Sequence, residues 1–483
     1  MHSADNHDRT WPAPVAAGPV SARVRLPASK SITNRALVLA ALSGDPAVIV
    51  NPLRARDTLL AAGALRAMGA EITEDQDPES RTAWRITAGS PTAGSRVGVD
   101  VGNAGTVMRF LPGVAALTCA TVDFDGDARA RQRPVGPILA ALRQLGADID
   151  DGGRAAVPFS VHGRGSVRGG AVTLDASGSS QLVSGLLLTA PRFAEGITIR
   201  HEGPTIPSAP HIAMTVRMLR AAGADATEIP PPGGAEGSGD RPQAWRVRPG
   251  RLALGTVTVE PDLSNAGPFL AAALVTAGTI TVPDWPRDSL QAAGQILDVL
   301  TRMGARCEVS ADGLTVTGAG RIHGIEADLR DVSELAPVLT AVAAMADSPS
   351  VFTGLAHTRR HETDRLAALA KEINALGGDV TELPDGLQIR PRPLRAGAPF
   401  GSYDDHRMVM AAAVLGLAVP GIAVVNAQTV AKTFPGFTDV WTLLVRGGDP
   451  PEPPDPGGKP FPPDPLGPLG PPEAPDPGLG SSL

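Results

Sequence analysis

The stretch RALVLAALSGDPAVIVNPLRARDTLLAAGALRAMGAEI, from Arg35 to Ile72, contains the unit from which the rest of the chain is built. RALVLAAL is aliphatic throughout with no clean polar stripe, so it reads as a helix buried on most sides. A short turn leads into AVIVN (47–51), a β-branched run typical of a strand. A second helix follows and ends in LRAMGAEI (65–72). The same order recurs along the chain. First helices read LPGVAALT (111–118), VSGLLLTA (183–190), AGPFLAAALV (266–275), APVLTAVAAM (336–345) and RMVMAAAVLG (407–416). Second helices end in LRQLGADI (142–149), LRAAGADA (219–226), LTRMGARC (300–307) and INALGGDV (373–380), and the sixth stops at LLVRGG (443–448). The six openers lie near Arg35, Thr106, Ser180, Asn265, Glu334 and Asp405, about 70 to 85 residues apart, which is too long a period for the common solenoids.

Three units fall on each side of IPPPGGAEGSGDRPQ (229–243), a Gly- and Pro-rich segment that reads as a flexible surface loop. The expected fold is therefore α/β, with two similar lobes of three repeats each, every lobe built around its own buried helices. The boundaries read as an N-terminal lobe over 29–255 and a C-terminal lobe over 256–447, preceded by a disordered leader over 1–17. A Pro-rich disordered tail is expected over 448–483, where Pro recurs every two or three residues.

At 483 residues the chain is long enough for two substantial cores, and 42% hydrophobic with 19% charged residues is a globular composition. Aromatics are only 3%, so small aliphatics must fill those cores. Cys119 and Cys307 lie far apart in apolar sequence and read as reduced core residues. No secretory signal opens the chain, and the apolar run from Met408 to Val425 is broken by Pro420 and Gly421, so a cytoplasmic protein is expected. A net charge of −7 argues against nucleic acid as a general partner. The chain has 39 arginines but only four lysines: Lys30, Lys371, Lys432 and Lys459. Lys371 lies on a helix face and Lys459 in the tail. Lys30 and Lys432 sit in loops beside Ser31 and Thr433, where a compact ammonium serves chemistry better than a guanidinium.

The loops opening the first helices carry the polar residues, and helix N-termini presented by Gly-, Ser- or Asp-rich loops suit anions. ASKSITNR (28–35) brings Lys30, Ser31 and, one turn later, Arg35 to one place, without the GxxxxGK[ST] spacing of a nucleotide-binding loop. GNAGTVMR (102–109) winds Gly102 and Gly105 round Asn103, which lets backbone approach a ligand. FDGDARARQRPVG packs Arg129, Arg131 and Arg133 before Pro134 as a possible anion clamp, or else a solvated turn. DASGSSQLVSG offers Ser177, Ser179, Ser180 and Gln181 as neutral donors, and Ser208 and His211 precede the third unit's second helix. Glu334, the run HTRRHETDRLAAL (His357, His361, Glu362, Arg365) and YDDHRM (Asp404, Asp405, His406, Arg407) place acid–base pairs at three helix starts. With Lys432, they point to proton transfer on an anionic substrate, and their spacing is not that of a metal site.

Together SKSITNR, GNAGTVMR, the Arg-rich segment ending in RP, SGSSQ, SxPHIxMT, HETDRL, DDHRM and AKTFPG, in that order over roughly residues 20 to 440, resemble the 5-enolpyruvylshikimate-3-phosphate synthase family. The resemblance implies two lobes of three inverse α/β repeats, with residues 18–28 belonging to the C-terminal lobe. It implies transfer of the carboxyvinyl group of phosphoenolpyruvate to the 5-hydroxyl of 3-phosphoshikimate, with release of phosphate. This is a step in aromatic amino acid biosynthesis and the target of glyphosate, an inhibitor of the phosphoenolpyruvate site. No cofactor and no metal is implied, and a monomer is expected.

Carried over by motif, Lys30, Ser31, Arg35, Ser179, Ser180, Gln181 and Ser208 would hold 3-phosphoshikimate, with Glu334, His357 and His361 near its ring. Lys30, Asn103, Gly105, Arg129, Gln181, Arg365, Arg407 and Lys432 would hold phosphoenolpyruvate. The catalytic set would be Glu334 as base, Lys30, Asp405, and Glu362 with Lys432 for proton delivery. Glu334 stands where the family usually has Asp, His361 where it often has Lys, His211 where Tyr is common, Asp404 where Asn is common and Phe110 where Pro often follows Arg109. His361 should make one ring contact dependent on pH near about 6–7. The alternatives are the related transferase acting on UDP-N-acetylglucosamine, which opens on Lys-Asn and carries a loop Cys, and a non-catalytic anion-binding scaffold. DGDARARQRP has no Cys, and a scaffold has no use for Glu334, Glu362, Asp405 and Lys432 together.

Overall fold

An aliphatic helix without a polar stripe is stable only where neighbours cover it on every side. The six first helices are Lys30–Leu42, Gly105–Ala116, Gln181–Thr189, Leu263–Thr276, Ala336–Ala343 and His406–Gly416, here called the first to sixth core helices. All eleven residues of the sixth are buried. The first three pack against one another, as do the last three, so each half has a bundle of small aliphatics at its centre. The structure, a computed structural model, describes residues 10–231 and 241–448.

The second helices are Arg56–Ala67, Gly136–Gln144, Pro210–Ala221, Ala293–Arg302, Arg365–Ala375 and Phe437–Val445. Each is followed by a glycine in the left-handed region: Gly69, Gly146, Gly223, Gly304, Gly377 and Gly447, with φ from 79° to 104°. The next residue's N–H then reaches back to the helix, as in Ala70 to Leu65 O, Ala147 to Leu142 O and Ala224 to Leu219 O, each 2.9 Å. That geometry explains the recurring L-x-x-x-G-A signature, because only glycine turns left without a Cβ penalty.

Among the described residues there are five four-stranded sheets and one two-stranded sheet. In each four-stranded sheet one strand runs parallel to its neighbour and an antiparallel hairpin completes the other side, as in Arg96–Asp100, Thr121–Asp125, Phe159–His162 and Asp148–Asp150. The sixth unit is reduced: Phe400 bridges Val424, and Thr10–Pro12 pairs antiparallel with Ala423–Val425.

The two halves exchange strands. Ser21–Arg23 pairs parallel with Thr279–Val282 of the second half, and Thr256–Thr258 pairs parallel with Ala47–Val50 of the first. The two crossing segments bond to each other, Ser29 N–H to Glu260 O and Asp262 N–H to Pro27 O, both 2.8 Å. One apolar core runs from Ala28 to Val259; the other takes Ala13 to Leu26 and Leu263 to Val445.

Three expectations need correction. The boundary expected at 255/256 moves past Val259, because Thr256–Thr258 completes a first-half sheet. Residues 10–17 of the expected leader are not loose: Thr10–Pro12 is a paired strand and Ala13 is buried in the second core. Residues 1–9, the central part 232–240 of the expected surface loop, and the tail from 449 lie outside the described residues. Cys119 is exposed and Cys307 half-buried, so neither is a core residue, although both are free thiols. The run from Met408 folds as core helix and strand, and no described helix is long and apolar enough to cross a membrane.

Candidate active site

The polar starts of the core helices converge on a cavity of about 150 Å³ between the halves. Residues from both cores line it: Lys30, Ser31, Gln181 and His211 from one, Glu334, His361, Arg365 and Arg407 from the other. Two helix starts are already neutralised by their own carboxylates. Asp262 accepts N–H bonds from Ser264 and Asn265, and Asp405 from Arg407 at 2.9 Å. In this half, anion binding must therefore rest on side chains more than on helix ends.

Lys30 and Lys432 are brought together. Lys30 Nζ lies 3.2 Å from Asp57 Oδ2, and Lys432 Nζ lies 3.9 Å from the same atom and 2.8 Å from Glu362 Oε1. Asp57 is almost fully buried, and its other oxygen has no hydrogen-bond partner among the described residues. Sequence reading missed it, because an acid in the first turn of a helix is ordinarily an unremarkable end charge. The chain just after Lys432 is anchored by an aromatic cluster: Phe434, Phe437 and Trp441 stand 5.7, 5.8 and 5.5 Å from Phe269. Asn265 Nδ2 also donates to Thr433 O at 3.1 Å.

Of the arginines before Pro134, the cavity receives Arg133. Arg129 donates across the halves to His361 O at 3.1 Å and to Gln132 at 3.0 Å, and lines the adjoining groove with Asn103, Glu362 and Lys432. Asn103 is also set back: its carbonyl and side-chain oxygens accept from Arg133 Nη1 at 2.6 and 2.9 Å, so it aims the arginine. Gly105 makes room for the group. A Cβ there would lie 2.7 Å from Arg109 Nη1, 2.8 Å from Arg133 Nη2 and 2.9 Å from Gln181 Oε1. A sequence signal for Arg133 existed in the Arg-Pro pair, where proline holds the preceding residue extended; its φ and ψ are −88° and 128°.

On the opposite wall Arg365 Nε and Nη2 fork onto Asp405 at 2.7 and 3.2 Å, and Nη2 also meets Glu362 at 3.3 Å. Asp405 is fully buried behind Arg365 and does not line the cavity, so the expected catalytic contact becomes a supporting one. Arg407 is tied to Ser264 O at 2.8 Å and Ser264 Oγ at 2.5 Å. Arg35 is occupied by protein: Nε to Thr215 Oγ1 at 2.7 Å, Nη1 to Ser31 O at 3.0 Å and Nη2 to His211 O at 3.1 Å. It braces Ser31 and His211 as well as lining the cavity.

Ser179, Ser180, Gln181 and Ser208 form the hydroxyl side. Ser208 bridges the halves, its N–H donating to Arg330 O at 2.8 Å. His357 Nε2 lies 2.9 Å from Ser333 Oγ, His357 and His361 meet edge-on at 5.4 Å, and His211 Nδ1 lies 3.9 Å from Glu334 Oε1. Besides Asp57, the sequence reading assigned no role to Asp262 or Ser264, both of which line the cavity.

Burial sets the charge states. It pulls His357 down to about 4 and pushes His361, His406 and His211 below their ordinary values, with neighbouring arginines adding to the effect. The expectation that His361 titrates near 6–7 is thereby overturned: the side chain is neutral at pH 7. Burial opposes charge on Glu362, but Lys432, Arg365 and Arg133 outweigh it and hold the carboxyl well below the usual range. Glu334 is likewise held low against burial, by its own backbone N–H, Arg407 and Arg365. Burial also works against the Lys432 ammonium, yet Glu362 and Asp57 raise it overall. The cavity thus offers fixed ammonium and guanidinium groups, carboxylates that include Glu334 and Glu362, and a neutral hydroxyl–imidazole wall, which suits two anions whose reaction moves protons.

A family model described as EPSP synthase (3-phosphoshikimate 1-carboxyvinyltransferase) matches residues 15–441. A 3-phosphoshikimate 1-carboxyvinyltransferase of Kocuria rhizophila is 50% identical over 443 residues, covering 91% of this chain and 97% of the relative. Among solved structures, an EPSP synthase from Acinetobacter baumannii aligns with a TM-score of 0.69 at 25% identity, over 90% of this chain and 97% of that one. A second structure of EPSP synthase from the same organism aligns at 0.68 and 24% identity, over 89% and 97%, and speaks to the fold alone.

Proposed function

The chain belongs to the EPSP synthase family, and from that premise we propose how its cleft divides the work of a 3-phosphoshikimate 1-carboxyvinyltransferase. The reaction moves the carboxyvinyl group of phosphoenolpyruvate to the 5-hydroxyl of 3-phosphoshikimate and releases phosphate, within the shikimate pathway. The observation that carries the residue roles is the meeting of Lys30 and Lys432 at Asp57, since it gathers ammonium groups from both halves at one point.

Phosphoenolpyruvate takes the side bounded by Lys30, Gly105, Gln181, Arg365, Arg407 and Lys432, with Arg129 at its edge and Arg133 joining it from the cavity wall. Asn103 contributes by holding Arg133. 3-Phosphoshikimate takes the side of Ser31, Arg35, Ser179, Ser180, Gln181 and Ser208, with Glu334, His357 and His361 about its ring. Glu334, ionised at neutral pH, accepts the 5-hydroxyl proton as the oxygen attacks the substituted vinyl carbon. The methylene carbon must gain a proton in that step and lose one as phosphate departs. The Lys432–Glu362 pair, 2.8 Å apart, holds a proton for this exchange, while Lys30 and Lys432 offset the charge of the leaving phosphate.

Each half moves as a lobe about the paired crossings at Ser29–Glu260 and Pro27–Asp262, and closure excludes water from the charges. The enzyme acts as a monomer in the cytoplasm. A phosphate-release assay tests the reading. Release should require phosphoenolpyruvate and 3-phosphoshikimate together, and Lys30→Ala should cut it by about a hundredfold or more. Full turnover in Lys30→Ala, or equal release with a UDP-sugar acceptor, would refute it.

A further inference from the structure

The segment Gly401–Asp404 lies outside the cavity, yet it touches the three second-half elements that supply Arg365, Arg407 and Lys432 to the phosphoenolpyruvate side. Tyr403 and Asp404 are consecutive non-glycine residues in the left-handed region, with φ of 53° and 55°. Such a conformation is costly and persists only where the surroundings hold it. Here the surroundings are specific. Glu372, buried on the helix Arg365–Ala375, accepts the Gly401 N–H at 3.0 Å with one oxygen and the Tyr403 hydroxyl with the other. The Tyr403 ring folds back over Gly401, where a Cβ would come within 3.0 Å of it, and Lys371 Nζ stands 5.3 Å from its centroid. Asp404 Oδ1 accepts from Asn426 Nδ2 at 2.6 Å, and Asp404 O from Thr429 Oγ1 at 3.0 Å. Asp405, the next residue, caps the sixth core helix and forks onto Arg365.

The three connections reach three different cations. Glu372 lies two turns after Arg365 on the same helix. Asp405 precedes Arg407. Asn426 and Thr429 flank and belong to the 3₁₀ segment Ala427–Lys432 that ends in Lys432. Helix, core-helix start and 3₁₀ segment have no covalent reason to keep a fixed spacing at their cationic ends. We propose that Glu372, Tyr403 and Asp404 are positioning residues: a knuckle that sets the mutual spacing of Arg365, Arg407 and Lys432 and so the affinity for phosphoenolpyruvate, without touching either substrate. This rests on the assignment of those three cations to phosphoenolpyruvate.

Steady-state kinetics on the full chain with each substrate varied tests the proposal. Tyr403→Phe removes one oxygen, Glu372→Gln weakens both bonds at once, and Asp404→Ala frees Asn426. Each should raise KM for phosphoenolpyruvate by about five- to twentyfold, as expected for displaced charge-assisted contacts, and leave KM for 3-phosphoshikimate within about twofold. Asp404→Asn keeps the acceptor oxygen and should behave as the parent. The knuckle is overturned if KM for both substrates rises together, if Asp404→Asn matches Asp404→Ala, or if KM for phosphoenolpyruvate stays within about twofold in Tyr403→Phe and Glu372→Gln. Arg365→Ala separates the two ideas. If it raises that KM while the knuckle variants do not, only the knuckle fails; if it also leaves that KM unmoved, the site assignment fails with it.

Discussion

At the scale of single residues, Glu334 is the side chain on which turnover should depend most sharply. Its carboxylate reaches the cavity beside His211 and is kept ionised by its surroundings. Glu334→Gln keeps the shape and removes the base, so kcat should fall by about 10²–10⁴-fold with both KM values nearly unchanged, measured by phosphate release. The buried histidines make a second prediction, about stability. His357 is held near 4 against an ordinary 6.5, and His211, His361 and His406 shift the same way. Between these values the unfolded chain binds more protons than the folded one, so stability rises with pH. The folded state keeps its full advantage above about 6.5 and loses it as pH falls towards about 4. Thermal melts should show Tm dropping through that window, with a shallower drop in His357→Gln. Residue types were legible in the sequence, but which arginine or acid faces the ligand was not. Arg129 and Arg133 share one short run, and folding sends Arg133 into the cavity and Arg129 to His361 O in the adjoining groove. Asp57 looked like an ordinary helix-end acid until folding carried Lys30 and Lys432 to it.

At the scale of elements, the repeat was readable because local rules fix it: aliphatic runs demand burial, and L-x-x-x-G-A demands a left-handed glycine stop. How closely the core helices approach was not readable. Gly185 shows the tolerance, since a Cβ there would lie 2.2 Å from Arg109 O, a backbone atom that cannot swing aside. Gly185→Ala should therefore destabilise the protein by about 1–3 kcal/mol, seen as a lower denaturant midpoint. Activity should fall as well, because the displaced backbone carries Arg109, which bonds Gln181 at 2.9 Å. The first strand shows the limit of local reading from the other direction. Thr10–Pro12 has a composition ordinary for a loose leader, and its order comes from pairing with Ala423–Val425 more than 400 residues away.

At the scale of the whole molecule, the halves meet through the site and through two ion pairs, one at its rim and one beyond it. Arg217 Nη2 donates to both oxygens of Asp288 at 3.0 Å, and Arg241 forks onto Asp331 at 3.0 and 2.7 Å. These pairs are solvent-exposed, so each is worth about 0.2–1 kcal/mol and less in high salt. Arg217→Ala combined with Arg241→Ala should shift the ligand-free protein towards open forms. Small-angle scattering should record a larger radius of gyration that contracts when both substrates are added. No change would mean that the site contacts alone, such as Ser208 to Arg330 and Arg129 to His361, hold the halves together.

The sequence by itself determined the six units, the buried helices, the polar loops that open them and, through the order of those loops, the family and its chemistry. The units, helices and loops follow from spacing and residue type, which local physics can read, whereas the family and its chemistry came from the resemblance of the ordered motifs. The tertiary structure alone decided that Thr256–Thr258 completes a first-half sheet, that Lys30 and Lys432 meet at one carboxylate, and that Arg133 faces inward while Asp405 stands behind Arg365. Those outcomes depend on contacts between residues tens to hundreds of positions apart, where the burial of one group is set by the packing of others that no local pattern specifies.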